Sequence, residues 1–193
     1  MWNETDYFYK FMEKRGLTYA GTTWQEGLKW RQIWFIDLFK KNDIDCVMLT
    51  LEEIEDYKHE WFEKFVPVDR RERASECCDF DYYKTATDFV AKYSSLMWHV
   101  FSYKILQCYE CDEASEQFDG TEKSEAVLFL DGFTDTACRI KDISKLKAKS
   151  LEIFDDVIIT ANDFAWTYAK THEVYCGPYF YRPPMQDMPQ ELQ

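Results

Sequence analysis

The segment HEVYC (172–176) differs by one residue from the zinc-protease pattern H-E-x-x-H, since cysteine replaces the second histidine. In that pattern both ligands lie on one helix face, and the glutamate deprotonates a metal-bound water. Here aromatic residues alternate with small ones from 164 to 169, and Gly177-Pro178 follows directly. That pattern predicts a strand that ends in a turn. His172, Glu173 and Cys176 are therefore candidate metal ligands whose spacing argues against them, and no catalytic residue is assigned.

His172 is nevertheless the histidine with the most chemistry around it, because Thr171 and Glu173 flank it at a predicted turn. One interpretation makes Glu173 a general base oriented by His172, with His99 or Cys176 as further members, or makes both residues metal ligands. A structural interpretation has the Thr171-His172-Glu173 side chains pinning the turn by hydrogen bonds to the backbone.

Other motifs do not predict a cofactor. Cys108-x-x-Cys111 supplies two of the four ligands that structural zinc needs. Gly16 and Gly21 have the outer spacing of a P-loop, but the lysine that contacts the phosphates is missing. We therefore predict ordinary reduced cysteines and no bound nucleotide.

Composition limits the function classes. The chain has 193 residues, with 36 acidic and 23 basic side chains, and its formal net charge is −13. This charge argues against nucleic-acid binding and against an anionic membrane surface. The longest clean apolar run, 126–130, is too short to span a bilayer, and the N-terminus lacks a signal-peptide pattern. Seven scattered cysteines favour reduced thiols and a cytoplasmic location.

The elements that must position these residues change in character along the chain. Capping-box spacing at Thr23 and Thr50 predicts helices over 23–41 and 50–65, and a period near 3.6 continues over 83–97. A short buried strand is predicted at 46–49, between the first two helices. The second half is rich in β-branched and aromatic residues, and five strands are predicted there: 98–103, 126–131, 136–141, 157–160 and 164–171.

We therefore predict a single α+β domain, with helices in the N-terminal half and a mostly antiparallel sheet in the C-terminal half. Residues 1–22 are predicted to form an N-terminal extension, 23–182 the domain, and 183–193 a flexible tail. Asp131-Gly132 indicates a hairpin with a loop longer than two residues. The acid-rich run 110–125, with seven acids and one lysine, is interpreted as a solvated loop.

Two strings carry a resemblance. WHVFSY (98–103) and WTYAKTHE (166–173), the latter followed by CGPYF (176–180), are similar to the signature segments of a bacterial family of unknown function, DUF4275. Segments 113–118, 126–128 and 156–160 fall between them in a similar order. The resemblance covers about residues 25–182. It implies a soluble bacterial protein and supplies no activity, cofactor or ligand.

The leading hypothesis is a non-enzymatic, immunity-like or regulatory protein whose acidic and aromatic surface binds a basic protein. The alternative is a metal-binding or hydrolytic enzyme that uses His172 and Glu173. The candidate binding residues come from the two signature strings: Trp98, His99, Tyr103, Trp166, Thr171, His172, Glu173 and Tyr179.

Overall fold

A computed structural model describes residues 4–18, 24–41, 43–78, 96–131, 136–173 and 175–183. Its helices are α1 Glu4–Glu13, α2 Trp24–Lys40, α3 Leu51–Phe65, α4 Arg71–Cys77, α5 His99–Ser102 and α6 Cys111–Gly120. Its strands are β1 Cys46–Met48, β2 Tyr109–Glu110, β3 Ala126–Leu130, β4 Ala137–Ile140, β5 Val157–Ala161, β6 Thr167–Lys170 and β7 Tyr179–Tyr181. Short 3₁₀ turns span Val68–Arg70 and Ala148–Leu151.

All seven strands form one antiparallel sheet in the order β1-β4-β3-β5-β6-β7-β2. All six α-helices precede β3, and the strands β3–β7 follow them in the chain. The predicted α+β class and the mostly antiparallel sheet are therefore confirmed. The β3–β4 hairpin is also confirmed, and six residues separate Leu130 from Ala137, as a loop longer than two residues requires.

Helices cover both faces of the sheet. Side chains alternate along a strand, so Leu128 packs on a first face with α1, α2 and α6, whereas Phe129 packs on a second face with α3, α4 and α5. Because neither face meets water, all five positions of β3 and of β5 are buried. This double covering explains why the central strands have continuous apolar sequences instead of alternating ones.

The predicted capping box on α3 is present. Glu53 N donates to Thr50 Oγ1 at 3.2 Å, and Thr50 N donates to Glu53 Oε2 at 2.7 Å. The apolar face of this helix is buried against the second face of the sheet, and Trp61 is fully enclosed. Leu51, which the periodicity places on that face, is instead 45% exposed because it lies at the first helical position.

Three local predictions are wrong. The segment 98–103 contains the short helix α5 (His99–Ser102) instead of a strand, because a helical turn buries Trp98 and Phe101 together. The acidic run contains α6 instead of a loop, since Ala114 and Phe118 lie one turn apart and pack into the core. The strand near Cys46 exists but is not buried: β1 is an edge strand, and Val47 is 59% exposed.

Several predictions fall outside the described residues, namely the Thr23 cap, most of the 83–97 helix and nearly all of the 183–193 tail. Within the described chain, α1 contributes Phe8, Phe11 and Met12 to the first-face core. No helix in these residues is long and apolar enough to cross a membrane.

Candidate functional site

Three neighbouring strands end at the same side of the sheet and bring polar groups together. Leu130 pairs with Val157, and Val157 pairs with Lys170. The next residues outward are therefore Asp131 after β3, Asp156 before β5, and Thr171-His172 after β6. We call Asp131, Asp156, His172, Trp98 and Lys58 the strand-end cluster.

Asp156 holds His172 in place. One carboxylate oxygen accepts from the His172 backbone N–H at 3.1 Å, and the two oxygens lie 2.9 and 2.8 Å from the imidazole Nδ1. The Asp156 side chain is 10% exposed, whereas that of His172 is 49% exposed. A nearly buried carboxylate thus orients a half-exposed imidazole, whose Nε2 is left for a partner or substrate.

Asp131 is the most deeply buried acid of the cluster. Its Oδ2 accepts from the Trp98 backbone N–H at 2.9 Å, while its buried Oδ1 has no hydrogen-bond partner among the described residues. Burial raises the pKa of this carboxyl to about 6, against the opposing effects of the Lys58 charge and of backbone N–H groups. Asp131 N donates to the Asp156 carbonyl at 2.9 Å, which joins the two acids directly.

Lys58 brings a positive charge to the same face. It is 1% exposed, and its ammonium lies 5.1 Å from the centre of the Phe129 ring. Buried lysines are rare unless they are paired, and this charge stabilises the Asp131 carboxylate. The strand-end cluster is therefore a buried ionic site that opens to solvent at His172.

Trp98 forms the aromatic wall of the cluster. Its indole makes an edge contact with His172 at 6.3 Å between ring centres and stacks on Tyr179 at 6.5 Å. The indole Nε1 is buried, and none of the residues that the structure describes accepts a hydrogen bond from it. Unpaired buried donors and acceptors are uncommon in native proteins, so Trp98 Nε1 and Asp131 Oδ1 mark this region as unusual.

The loop 171–178, which we call the His172 loop, is held by hydrogen bonds between its described residues, 171–173 and 175–178. Thr171 Oγ1 donates to Cys176 O at 2.7 Å and accepts from Glu173 N at 3.1 Å. Gly177 has φ +78°, and a Cβ there would lie 3.0 Å from the Tyr179 ring. Only glycine fits that position without strain. This bonding is what the structural interpretation of Thr171 predicts.

Most of the sequence-predicted binding residues lie around this loop. His99 Nδ1 lies 3.1 Å from the Cys77 carbonyl, and its ring contacts Tyr103, which is 52% exposed. Trp166 is not part of the site, because it packs on the opposite face against Phe118 and Phe180.

The interpretation that pairs Glu173 with the His172 imidazole does not match the contacts in the structure. Asp156 is the carboxylate that holds His172, whereas Glu173 hydrogen-bonds the Cys176 thiol and raises its pKa. In the described part of the chain, no group of three His, Cys, Asp or Glu side chains is arranged to hold a metal ion.

Sequence reasoning did not place Asp131, Asp156 or Lys58 in the site. The two acids border the apolar strands 126–130 and 157–161, so a polar residue directly after or before a buried run was the available signal. That signal becomes specific only with the strand register. For Lys58 the available signal was the 3.6-residue period of α3, but this period fits Tyr57 on the buried face equally well.

A family model described as Domain of unknown function (DUF4275) matches residues 57–180, more than half of the chain. The chain belongs to this family. The DUF4275 match contains every member of the strand-end cluster and both signature strings. No curated protein and no solved structure matches the chain.

Proposed function

We propose that this DUF4275 protein is a non-enzymatic binding protein that captures a positively charged partner protein through the His172 loop and the acidic side chains beside it. The observation that carries the proposal is Tyr175, which is 98% exposed on a loop whose backbone is held by Thr171 and Asp156. Exposed aromatic residues on a preorganised loop are effective contact groups, because little entropy is lost when they bind.

The charge of the partner follows from what surrounds the loop. Glu173 is exposed on the loop itself, and Cys111 N donates to Pro178 O at 2.8 Å, which places the first turn of α6 against the loop. That turn carries the exposed acids Asp112 and Glu113. Together with the net charge of −13, these acids favour encounter with a basic surface and disfavour nucleic acid.

The proposed setting is the bacterial cytoplasm, where an immunity-like or regulatory role would be exerted. All seven cysteines are free thiols, which suits a reducing compartment.

The test is to capture partner proteins from a native bacterial lysate on the immobilised full chain and to elute them with increasing salt. The face variant is Glu173→Lys/Tyr175→Ala, and its matched control is Tyr9→Ala/Glu13→Lys, which makes the same chemical changes on α1. We expect wild type and control to retain the same basic protein in equal amounts, and we expect salt to release it. The face variant should retain at least about tenfold less of that protein. Equal retention by both variants, or no retained basic protein, contradicts the proposal.

The Asp156–His172 pair supports a second candidate, a hydrolytic function with His172 as general base. Asp156 replaces Glu173 in this version, because it orients the imidazole as a triad carboxylate does. The probe is p-nitrophenyl acetate, compared between wild type and His172→Gln at pH 7. General-base catalysis predicts a rate at least about a hundredfold lower in the variant. Identical rates contradict it.

A further inference from the structure

A basic cleft lies between two segments of the chain. One comprises the 3₁₀ turn Val68–Arg70 and the start of α4, and the other is 104–107. It encloses about 400 Å³, which is within the usual size range of small-ligand sites. Its lining contains three cations and one acid: Arg70, Arg73, Lys104 and Asp69, with Ile105 and Gln107 completing it. In a chain with 13 more acids than bases, this is a local reversal of charge.

The two guanidinium groups are positioned by the segment that they line. Arg70 Nη1 donates to Ile105 O at 2.7 Å, and Arg73 Nη2 donates to Tyr103 O at 3.4 Å. A guanidinium has five N–H groups, so one carbonyl bond fixes its position while other donors can meet a ligand. Fixing the side chains in advance lowers the entropy lost on binding an oxyanion.

Lys104 is also held in place. Its ammonium pairs with Glu110, which raises the lysine pKa and keeps the group charged. The Lys104 backbone has φ 57°, an uncommon value for a residue other than glycine. The Asp69 side chain is 80% exposed and lies 4.0 Å from Arg70, so water screens its competition for that arginine.

A second cleft of about 380 Å³ shares Gln107 with the first one. It adds Tyr109, Gln117 and Arg182, and Arg182 donates to Thr121 Oγ1 at 2.8 Å. Arg182 is thus a fourth cation beside the three of the first cleft, and the second cleft also contains an amide and an aromatic ring. This arrangement has room for a ligand body beyond its charged group.

We propose that the basic cleft binds a phosphate group, with Arg70 and Arg73 as its principal contacts. A phosphate monoester carries up to two negative charges and three terminal oxygens, which matches several N–H donors better than a single carboxylate does. The phosphate is either free or carried by a small ester whose body extends toward Gln107. This inference does not depend on the proposed protein partner, because that surface and this cleft use different side chains.

The test is calorimetric titration of the full chain with inorganic phosphate and with glycerol 3-phosphate, using glycerol as the uncharged probe. We expect saturable binding of the phosphate-bearing probes and none of glycerol. Arg70→Gln and Arg73→Gln should each weaken binding at least about tenfold, whereas the control Arg139→Gln, an exposed arginine on β4, should leave it unchanged.

Arg70→Lys addresses the risk that loss of the Ile105 contact unfolds the segment, since lysine can still donate to that carbonyl. Binding in this variant should fall between wild type and Arg70→Gln, with an unchanged thermal transition. Tighter binding of glycerol 3-phosphate than of phosphate identifies an ester ligand, and equal binding identifies free phosphate. Absence of saturable binding below 10 mM (about −3 kcal/mol), or equal affinity in both glutamine variants and wild type, overturns the proposal.

Discussion

Two tryptophans on the same face of the sheet lie in opposite polar surroundings. The Trp61 indole donates to Thr160 Oγ1 at 3.1 Å and to Thr167 Oγ1 at 3.2 Å, and those hydroxyls are 2.8 Å apart. The Trp98 indole has no hydrogen-bond partner within the described part of the chain. Both side chains are almost fully buried.

The difference teaches where this fold uses polar groups for stability and where it leaves them for something else. Thr160 and Thr167 face each other across β5 and β6, so the sheet itself supplies the acceptors for Trp61. The Trp98 backbone is bonded to Asp131, beyond the end of β3, and one oxygen of Asp131 likewise has no partner in the described residues. Buried polar groups that are not fully hydrogen-bonded, next to a half-exposed imidazole, are better suited to function than to folding.

The largest expected effect concerns Asp131 and pH. Its pKa is about 6 in the folded state, above the ordinary value of 3.8, so the folded protein binds the proton more tightly than the unfolded chain. Its contribution to stability is therefore present below about pH 4 and lost as pH rises through 6. The unfolding free energy of wild type relative to Asp131→Asn should fall by about 3 kcal/mol between pH 3 and pH 8.

Urea denaturation of both proteins at several pH values measures this difference. Asp142→Asn is a suitable control, because that carboxyl is exposed and its pKa is lowered by Ser144. A constant difference between Asp131→Asn and wild type across this range would show that the folded state does not favour the protonated carboxyl.

The next effect compares the two tryptophans directly. Trp61→Phe removes a donor from two buried hydroxyls, and we expect a loss of about 1–3 kcal/mol in unfolding free energy beyond the shared loss of ring volume. Trp98→Phe removes an N–H that has no partner in the described residues, so its loss should be smaller by about the same amount. Chemical denaturation at one pH measures both variants, and equal losses would remove the distinction between a closed and an open polar site.

The smallest effect is expected at His172. Because its side chain is half exposed, water competes for its hydrogen bond with Asp156, and His172→Gln should change the unfolding free energy by less than about 1 kcal/mol. The same substitution is the one expected to abolish esterase activity if the second candidate function holds. A loss above about 2 kcal/mol would instead assign His172 a mainly structural role.

Prediction from sequence worked best where the signal is local. The capping box at Thr50 and the strands around 126–130 and 157–161 were identified because caps and apolar runs carry their own evidence. It failed at 98–103, where aromatic and β-branched residues favour a strand but tertiary burial of Trp98 and Phe101 imposes a helix. For the site, the His172 segment was found, while its partners Asp156 and Asp131 were not.

The sequence by itself determined the family, the α+β class, the acidic charge and the turn at Thr171-His172-Glu173, because each depends on composition or on neighbours in the chain. Only the tertiary structure decided that Asp156 orients His172, that Asp131 Oδ2 accepts from the Trp98 backbone, and that three arginines and one lysine line two clefts that share Gln107. These groups come from segments far apart in the chain. Strand register and helix packing bring them together, and neither can be read from local sequence.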